Sequence, residues 1–481
     1  MVRTRFAPSP TGYMHIGNLR SALYAWLFAR NMGGEFLLRI EDTDQAREVA
    51  GAVDVIYDTL REVGMDWDEG PDKGGPVGPY VQSQRRDIYA KYAEMLVESG
   101  CAYYCFCTKE ELEERREAAK ERGESFKYDK HCLHLSKEEI REKLKEKTPF
   151  VIRQNVPTTG ETSFTDEIFG TITVENSSLD DNVLIKADGF PTYNFANVVD
   201  DHLMGITHVM RGMEYLSSTP KYNLLYEAFG WEIPKYVHLT PIMRDATHKL
   251  SKRDGDASYA DFREKGYLME AIVNYIALLG WNPGTEQEKF SMEELIGAFS
   301  LSGLSKSPAI FDPLKLKWLN GEYIRALSPQ EFGENAEKWY EKAGVSGMDH
   351  AILNRLLQPR VEAFSEIPGK VAFLTERPPL EADLFINKKN KVTPELSLET
   401  LALAQKAFAG IESWTEEAIS TAMSGIVEST GKKTGAVYWP VRVALSGLSV
   451  TPGGPVEIAA LLGREESLSR LGSAAQYLSS L

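Results

Sequence analysis

His15-Ile16-Gly17-Asn18 follows a Pro8-Ser9-Pro10-Thr11-Gly12 turn and stands at the start of a helical pattern. Unsatisfied backbone N–H groups and the positive dipole end gather at such a place, and both favour phosphate. Gly17 lacks a Cβ, so a flat purine can approach the backbone there, while His15 can donate to a phosphate oxygen. Far downstream, Lys249-Leu250-Ser251-Lys252-Arg253 lies on a polar stretch after an apolar strand, with Asp254-Gly255 to turn the chain. Two lysines three apart can reach one polyphosphate and neutralise charge developing as pyrophosphate leaves. Taken singly, the first segment also reads as a turn with a helix cap, and the second as a basic surface loop.

A second constellation is soft. Cys105-x-Cys107, then 24 residues, then Cys132-x-His134 offers four ligands in two close pairs, enough for a closed tetrahedral zinc site. Thr108 to Glu111 and Ser136 to Glu139 each read as a capping box, so a helix begins after each pair. The alternative is a set of reduced, metal-free cysteines, with Cys101 as the extra thiol.

The elements that must position these groups follow from periodicity. Val2 to Ala7 and Phe36 to Glu41 read as strands around a Leu19 to Arg30 helix, in which Leu19, Ala22, Leu23, Trp26 and Leu27 recur on one face. This opens a βαβ unit. Thr207 to Arg211 and Val237 to Met243 give two more strands, with a helical Lys221 to Phe229 between them. An insertion of roughly 90–195 separates the two blocks. Its charge run from Lys109 to Lys147 is solvated helix surface. Beyond residue 260 the pattern turns helical, with a Trp318 to Leu327 helix and a boundary at Pro378-Pro379.

Composition sets the class. A chain of 481 residues is too long for one small binding module, and 43% hydrophobic with 26% charged residues leaves little room for disorder. Its 54 Lys+Arg against 70 Asp+Glu, a formal −16, argue against a wholly basic nucleic-acid coat while allowing a local basic groove. Four cysteines, all between Cys101 and Cys132, do not make a secreted disulfide scaffold. No apolar run reaches the roughly 18 residues of a membrane span, and MVRTRFAPSPTG carries no apolar h-region. A cytoplasmic protein that does not engage membranes is expected.

Together, HIGN early and KLSKR late resemble the two signatures of class I aminoacyl-tRNA synthetases. The flanking RFAPSPTG, LRIEDTD and KLSKRDG segments narrow the resemblance to glutamyl-tRNA synthetases of the bacterial type, with strong landmarks to about residue 325 and a GGPVEIAALLG ending. Asn18 stands where the general signature has a second His. The implied fold is α/β: a Rossmann-type doubly wound parallel sheet, split by an α/β acceptor-binding insertion and followed by all-α anticodon-binding domains. The corresponding expectation for domains is 1–89 and 196–244 for the two catalytic halves, 90–195 for the insertion with its zinc site, 245–325 for a stem-contact domain, and 326–380 and 381–481 for two helical anticodon domains.

The resemblance also implies roles. His15, Lys249 and Lys252 would be catalytic, with His15, Gly17, Asn18, Lys249, Leu250, Ser251 and Lys252 binding ATP together with Mg2+. Arg5 and Arg211 would hold the side-chain carboxylate of glutamate and Glu41 its ammonium, with Ala7, Ser9, Tyr193 and Asn197 lining the pocket. These arginines fall at strand ends, where ligands of doubly wound sheets bind, and a guanidinium fork facing an amide would reject glutamine. The expected reaction is glutamyl-adenylate formation followed by transfer to the 3'-terminal ribose of tRNA(Glu), by a monomer. Structural Zn2+ on Cys105, Cys107, Cys132 and His134 would shape the insertion; Gln358 and Arg360 would bear on the anticodon. The open alternatives are an enzyme that also charges tRNA(Gln), and a noncatalytic tRNA-binding scaffold. A glutaminyl enzyme should lack an arginine matching Arg211, and a tRNA-modifying glutamyl transferase would lack the C-terminal region.

Overall fold

The computed structural model describes residues 1–44, 49–124, 126–250 and 258–481. The chain forms two compact units, one of residues 1–262 and 272–312, the other of residues 263–271 and 313–481.

In the first unit, the strands Arg3–Phe6 and Glu35–Leu38 pair in parallel across the helix Ile16–Asn31. Ile16, Leu19, Leu23 and Leu27 of that helix are buried. The second block is also parallel, His208–Gly212 on Lys235–Leu239, joined by the helix Thr219–Phe229. The blocks are stitched where Thr207 N donates to Arg3 O at 2.9 Å and Arg3 N donates to Thr207 Oγ1 at 2.8 Å. The long apolar stretch ending at Met243 is two strands rather than one. Thr240-Pro241 interrupts it, and Ile242–Met243 pairs with Ala309–Ile310 instead. Proline cannot donate to a ladder, so a break falls there.

The insertion is built on the antiparallel sheet of Ala102–Cys105, Val151–Gln154 and Val183–Ile185. Both capping boxes form, on the helices Lys109–Glu121 and Lys137–Lys145. A hairpin, Glu161–Asp166 with Gly170–Glu175, leaves this sheet, and Asp166 pairs in parallel with Tyr236. The insertion therefore adds strands to the catalytic sheet rather than standing clear of it.

The second unit is helical throughout residues 313–481. Phe332, Tyr340, Leu357, Phe364, Leu401, Phe408 and Val441 lie in its core. The helix expected from Trp318 begins at Pro313, where proline suits a first turn, and runs to Ala326. Buried Arg470 donates to Phe373 O at 2.7 Å, Leu445 O at 2.8 Å and Leu374 O at 3.1 Å, near the ends of two helices. Carbonyls left over at a helix end need such donors, and a guanidinium also complements the dipole.

Candidate active site

A cleft of about 270 Å³ opens at the carboxyl ends of the parallel strands of the first unit. Arg5, Ala7, Ser9, His15, Gly17, Asn18, Glu41, Tyr193, Arg211 and Lys249 all line it. The N-terminal histidine segment and the start of the lysine segment thus meet in one cavity, though they lie at opposite ends of this half of the chain.

His15 caps the helix Ile16–Asn31. Its Nδ1 accepts from Gly17 N at 3.0 Å, which leaves Nε2 as the protonated, donating nitrogen of a neutral ring. A Cβ on Gly17 would lie 3.2 Å from that Nδ1, so glycine keeps the ring seated. Lys249 is set by an antiparallel bridge to Met243, and the side chain of Leu250 is buried while its N–H donates to Ile242 O at 3.0 Å. Ser251 and Lys252 lie outside the described residues. Ser258 bridges to His15.

Beneath the cleft lies a buried network of charges. Arg5 Nε and Nη2 donate to the two oxygens of Asp201 at 3.0 and 3.1 Å, and Arg39 Nη1 donates to Asp201 Oδ1 at 2.8 Å. Arg39 Nη2 donates to Glu41 Oε1 at 3.0 Å. Asp200, alongside, accepts from Arg85 Nε at 2.7 Å, Tyr89 Oη at 2.8 Å and Gln82 Nε2 at 2.9 Å. Three arginines balance Asp200, Asp201 and Glu41, which is how charges survive out of water. Burial pushes Asp201 up, but Arg5 and Arg39 outweigh it and hold the carboxyl below the usual range. For Glu41 burial prevails over Arg39 and Arg5, and its carboxyl titrates above the usual range.

Arg5 therefore spends its Nε–Nη2 edge on Asp201, with Nη1 donating to Met210 O at 3.3 Å, while lining the cleft. Arg211 is buried between the rings of Tyr215, Tyr222 and Tyr236, with its carbon 5.4, 4.8 and 5.4 Å from their centroids. Its Nε donates to His238 Nε2 at 3.1 Å and its Nη2 to Thr219 Oγ1 at 3.1 Å. Asn197 is not among the cleft residues: it is buried one turn along the helix, donating to Tyr193 O at 2.6 Å.

Residues 1–318 match the family model for the catalytic domain of class I tRNA synthetases (E and Q), and residues 318–475 match an anticodon binding domain. The chain belongs to the class I tRNA synthetase family. The synthetase is 59% identical to the glutamate–tRNA ligase of Clostridium tetani over 98% of its own length and 96% of the relative's. It is 58% identical to that of a Clostridium botulinum strain over 99% of both. Solved structures give the same picture. A glutamate tRNA ligase from Elizabethkingia meningosepticum, in complex with its amino acid, superposes with a TM-score of 0.90 at 37% identity over 99% of each chain. A glutamate–tRNA synthetase from Elizabethkingia anophelis gives 0.89, again at 37% identity and over 99% of each.

The soft ligands of the synthetase gather as three rather than four. The Sγ atoms of Cys105, Cys107 and Cys132 lie within 4.8 Å of one another, and His134 is not in the group. The Tyr128 hydroxyl stands in its place, 3.3 Å from the sulfurs of both Cys105 and Cys107. Hydrogen bonds from Cys132 and Tyr128 pull the Cys105 thiol down, while the shared contact with Cys105, together with burial, pushes the Cys132 thiol up. Sequence spacing favoured His134 because it completes a symmetric pair. The short helix His131–His134 instead aims Cys132 inward, while Lys130 in left-handed conformation brings Tyr128 back over the sulfurs.

The synthetase keeps Gln358 at a helix end, where its Nε2 donates to Ile324 O at 3.1 Å and Leu327 O at 2.7 Å. Arg360 is exposed, with Nη1 donating to Leu356 O at 2.7 Å. Sequence reading missed Arg39, Asp200, Asp201, Asp166 and His238. The signal for the first three was present as an ionisable residue inside LLRIED and as adjacent carboxylates in an otherwise apolar helix.

Proposed function

We propose that the chain is a glutamate–tRNA ligase, in which glutamate attacks the α-phosphorus of ATP to form glutamyl-adenylate and pyrophosphate, and a terminal ribose hydroxyl of tRNA then takes the glutamyl group. The observation that carries this reading is the convergence of His15 and Lys249 on the cleft that also holds Arg5, Arg211 and Glu41. A substrate with two carboxylates and one ammonium finds two guanidinium groups and one carboxylate there. His15, through its donating Nε2, and Lys249 bind phosphate oxygens, with Lys252 assigned beside them from sequence. Gly17 and Asn18 offer the helix start to the nucleotide, with Leu250 and Ser251 flanking the lysines. Arg5 and Arg211 take carboxylate, Glu41 the ammonium, and Ala7, Ser9 and Tyr193 the walls; Asn197 supports Tyr193 from behind. No side chain has to act as a covalent nucleophile; alignment and stabilised charge supply the acceleration.

Mg2+ would travel with ATP and be held mostly by phosphates and water, neutralising charge on the polyphosphate. Zn2+ fits the three thiols, because tetrahedral thiolates about 2.3 Å from zinc stand about 3.8 Å apart, and Cys107 and Cys132 are 3.6 Å apart. Tyr128 would complete the set in place of His134. Such a closed site is structural.

The expected partners are ATP, L-glutamate and tRNA(Glu), handled by a cytoplasmic monomer in the domain arrangement set out from sequence: catalytic halves 1–89 and 196–244, insertion 90–195, stem-contact 245–325, and anticodon domains 326–380 and 381–481. Among the described residues no helix is long and apolar enough to cross a membrane. Arg360 would face the anticodon, whereas Gln358, with its amide donors spent on carbonyls, can offer only its oxygen. Aminoacylation with glutamate on purified tRNA(Glu) and tRNA(Gln) tests the proposal. Charging of tRNA(Glu) is expected; charging of both marks the relaxed form of the enzyme, and charging of neither overturns the assignment.

A further inference from the structure

Arg211 is held from behind by a chain of two hydrogen bonds that ends outside the catalytic block. His238 Nε2 receives Arg211 Nε at 3.1 Å, and His238 Nδ1 lies 2.8 Å from Asp166 Oδ2. Arginine can only donate, so Nε2 must be the acceptor and the imidazole proton must sit on Nδ1, facing the carboxylate. Asp166 is pinned in turn. Its Oδ2 also receives His238 N at 3.0 Å, and its Oδ1 receives Ile168 N and Phe169 N, both at 2.9 Å. The His238 and Asp166 side chains are fully enclosed, at 0% exposure.

With Nε on His238 and Nη2 on Thr219, the guanidinium has one orientation, and the N–H groups left over are those it can present to the cleft. Burial, with the Arg211 charge adding to it, outweighs Asp166 and Glu214 and keeps the imidazole below its ordinary pKa, consistent with a neutral acceptor. Asp166 lies on the hairpin strand Glu161–Asp166, and its ladder partner on the catalytic block is Tyr236, two residues before His238.

We infer that Asp166 and His238 are positioning residues for amino-acid recognition: they fix the tautomer and orientation that hold Arg211 as a carboxylate receptor, and they tie that receptor to the inserted hairpin. This rests on the reading that Arg211 binds a carboxylate of glutamate. The full chain carrying His238→Phe keeps the ring volume and loses both hydrogen bonds. His238→Gln can keep both, with its oxygen receiving Arg211 and its amide N–H donating to Asp166.

Steady-state aminoacylation of tRNA(Glu) should show KM for glutamate raised about 10- to 100-fold in His238→Phe, with KM for ATP within about twofold. His238→Gln should return KM for glutamate to within about threefold of the parent. Melting curves, with Asp166→Ala as a second disruption, identify variants that remain folded. An unchanged glutamate KM in folded His238→Phe overturns the inference, and so does a His238→Gln variant no better than His238→Phe. Arg211→Gln separates the two layers: if it raises KM for glutamate while the His238 variants do not, only the relay fails. If Arg211→Gln leaves KM unchanged, the carboxylate role of Arg211 fails and the relay with it.

Discussion

Arg39 and Glu41 form a sealed ion pair, Nη2 to Oε1 at 3.0 Å, with 0% and 4% of their side chains exposed. Arg39 also holds Asp201, which holds Arg5, so the carboxylate assigned to the substrate ammonium and an arginine assigned to its carboxylate share one support. Removing the centre of that support leaves three buried anions under-compensated, since Arg39 Nε also stands 3.7 Å from Asp200 Oδ2. Arg39→Met should cost about 3–5 kcal/mol of stability, read from the urea midpoint, because breaking one partner of a buried pair strands the other. A loss below about 1 kcal/mol would mean that water reaches the network.

Glu41 carries the opposite sign. Its folded pKa lies above the ordinary carboxylate value, burial being the larger cause, so its ionised form opposes folding. That penalty is complete above the folded pKa, fades as pH falls through it, and is gone below the unfolded value. Glu41→Gln should therefore melt no lower than the parent at pH 7 in the absence of ligands, while KM for glutamate rises at least about tenfold as the ammonium loses its counter-charge. Calorimetry and steady-state kinetics on one preparation check both. A lower melting temperature with an unchanged KM would reverse the assignment.

The cysteine cluster predicts which substitution removes metal. Cys132→Ala should purify without stoichiometric zinc, and His134→Ala should keep it, measured by elemental analysis of the folded protein. Tyr128→Phe should weaken retention against a chelator. Loss of zinc from His134→Ala would restore the symmetric pair read from spacing.

How far the sequence could be read depended on how local each signal was. The histidine segment, the first helix and both capping boxes are written in adjacent residues; the structure forms both boxes and starts the helix at Ile16 rather than Leu19. Arg5, Glu41 and Arg211 were legible because strand ends of a parallel sheet share one rim. The support beneath them was not: Arg39 meets Asp201, and Arg211 meets His238, across distances in sequence that no periodicity reports. Tyr128 was hidden for another reason, since a phenol between two ligand pairs reads as core until the turn at Lys130 brings it over the sulfurs. Asn197, beside the pocket in sequence, has its amide N–H on the Tyr193 carbonyl of its own helix.

The proposed function requires His15 and Lys249 to act on one bound ATP in the cleft they share. The sharpest check is glutamate-dependent exchange of pyrophosphate into ATP, with tRNA(Glu) present, in the parent and in Lys249→Ala. Removing one preorganised donor to the developing charge should lower exchange by about 100-fold or more, with the melting temperature unchanged. Exchange within a few-fold of the parent in a folded Lys249→Ala protein would contradict it.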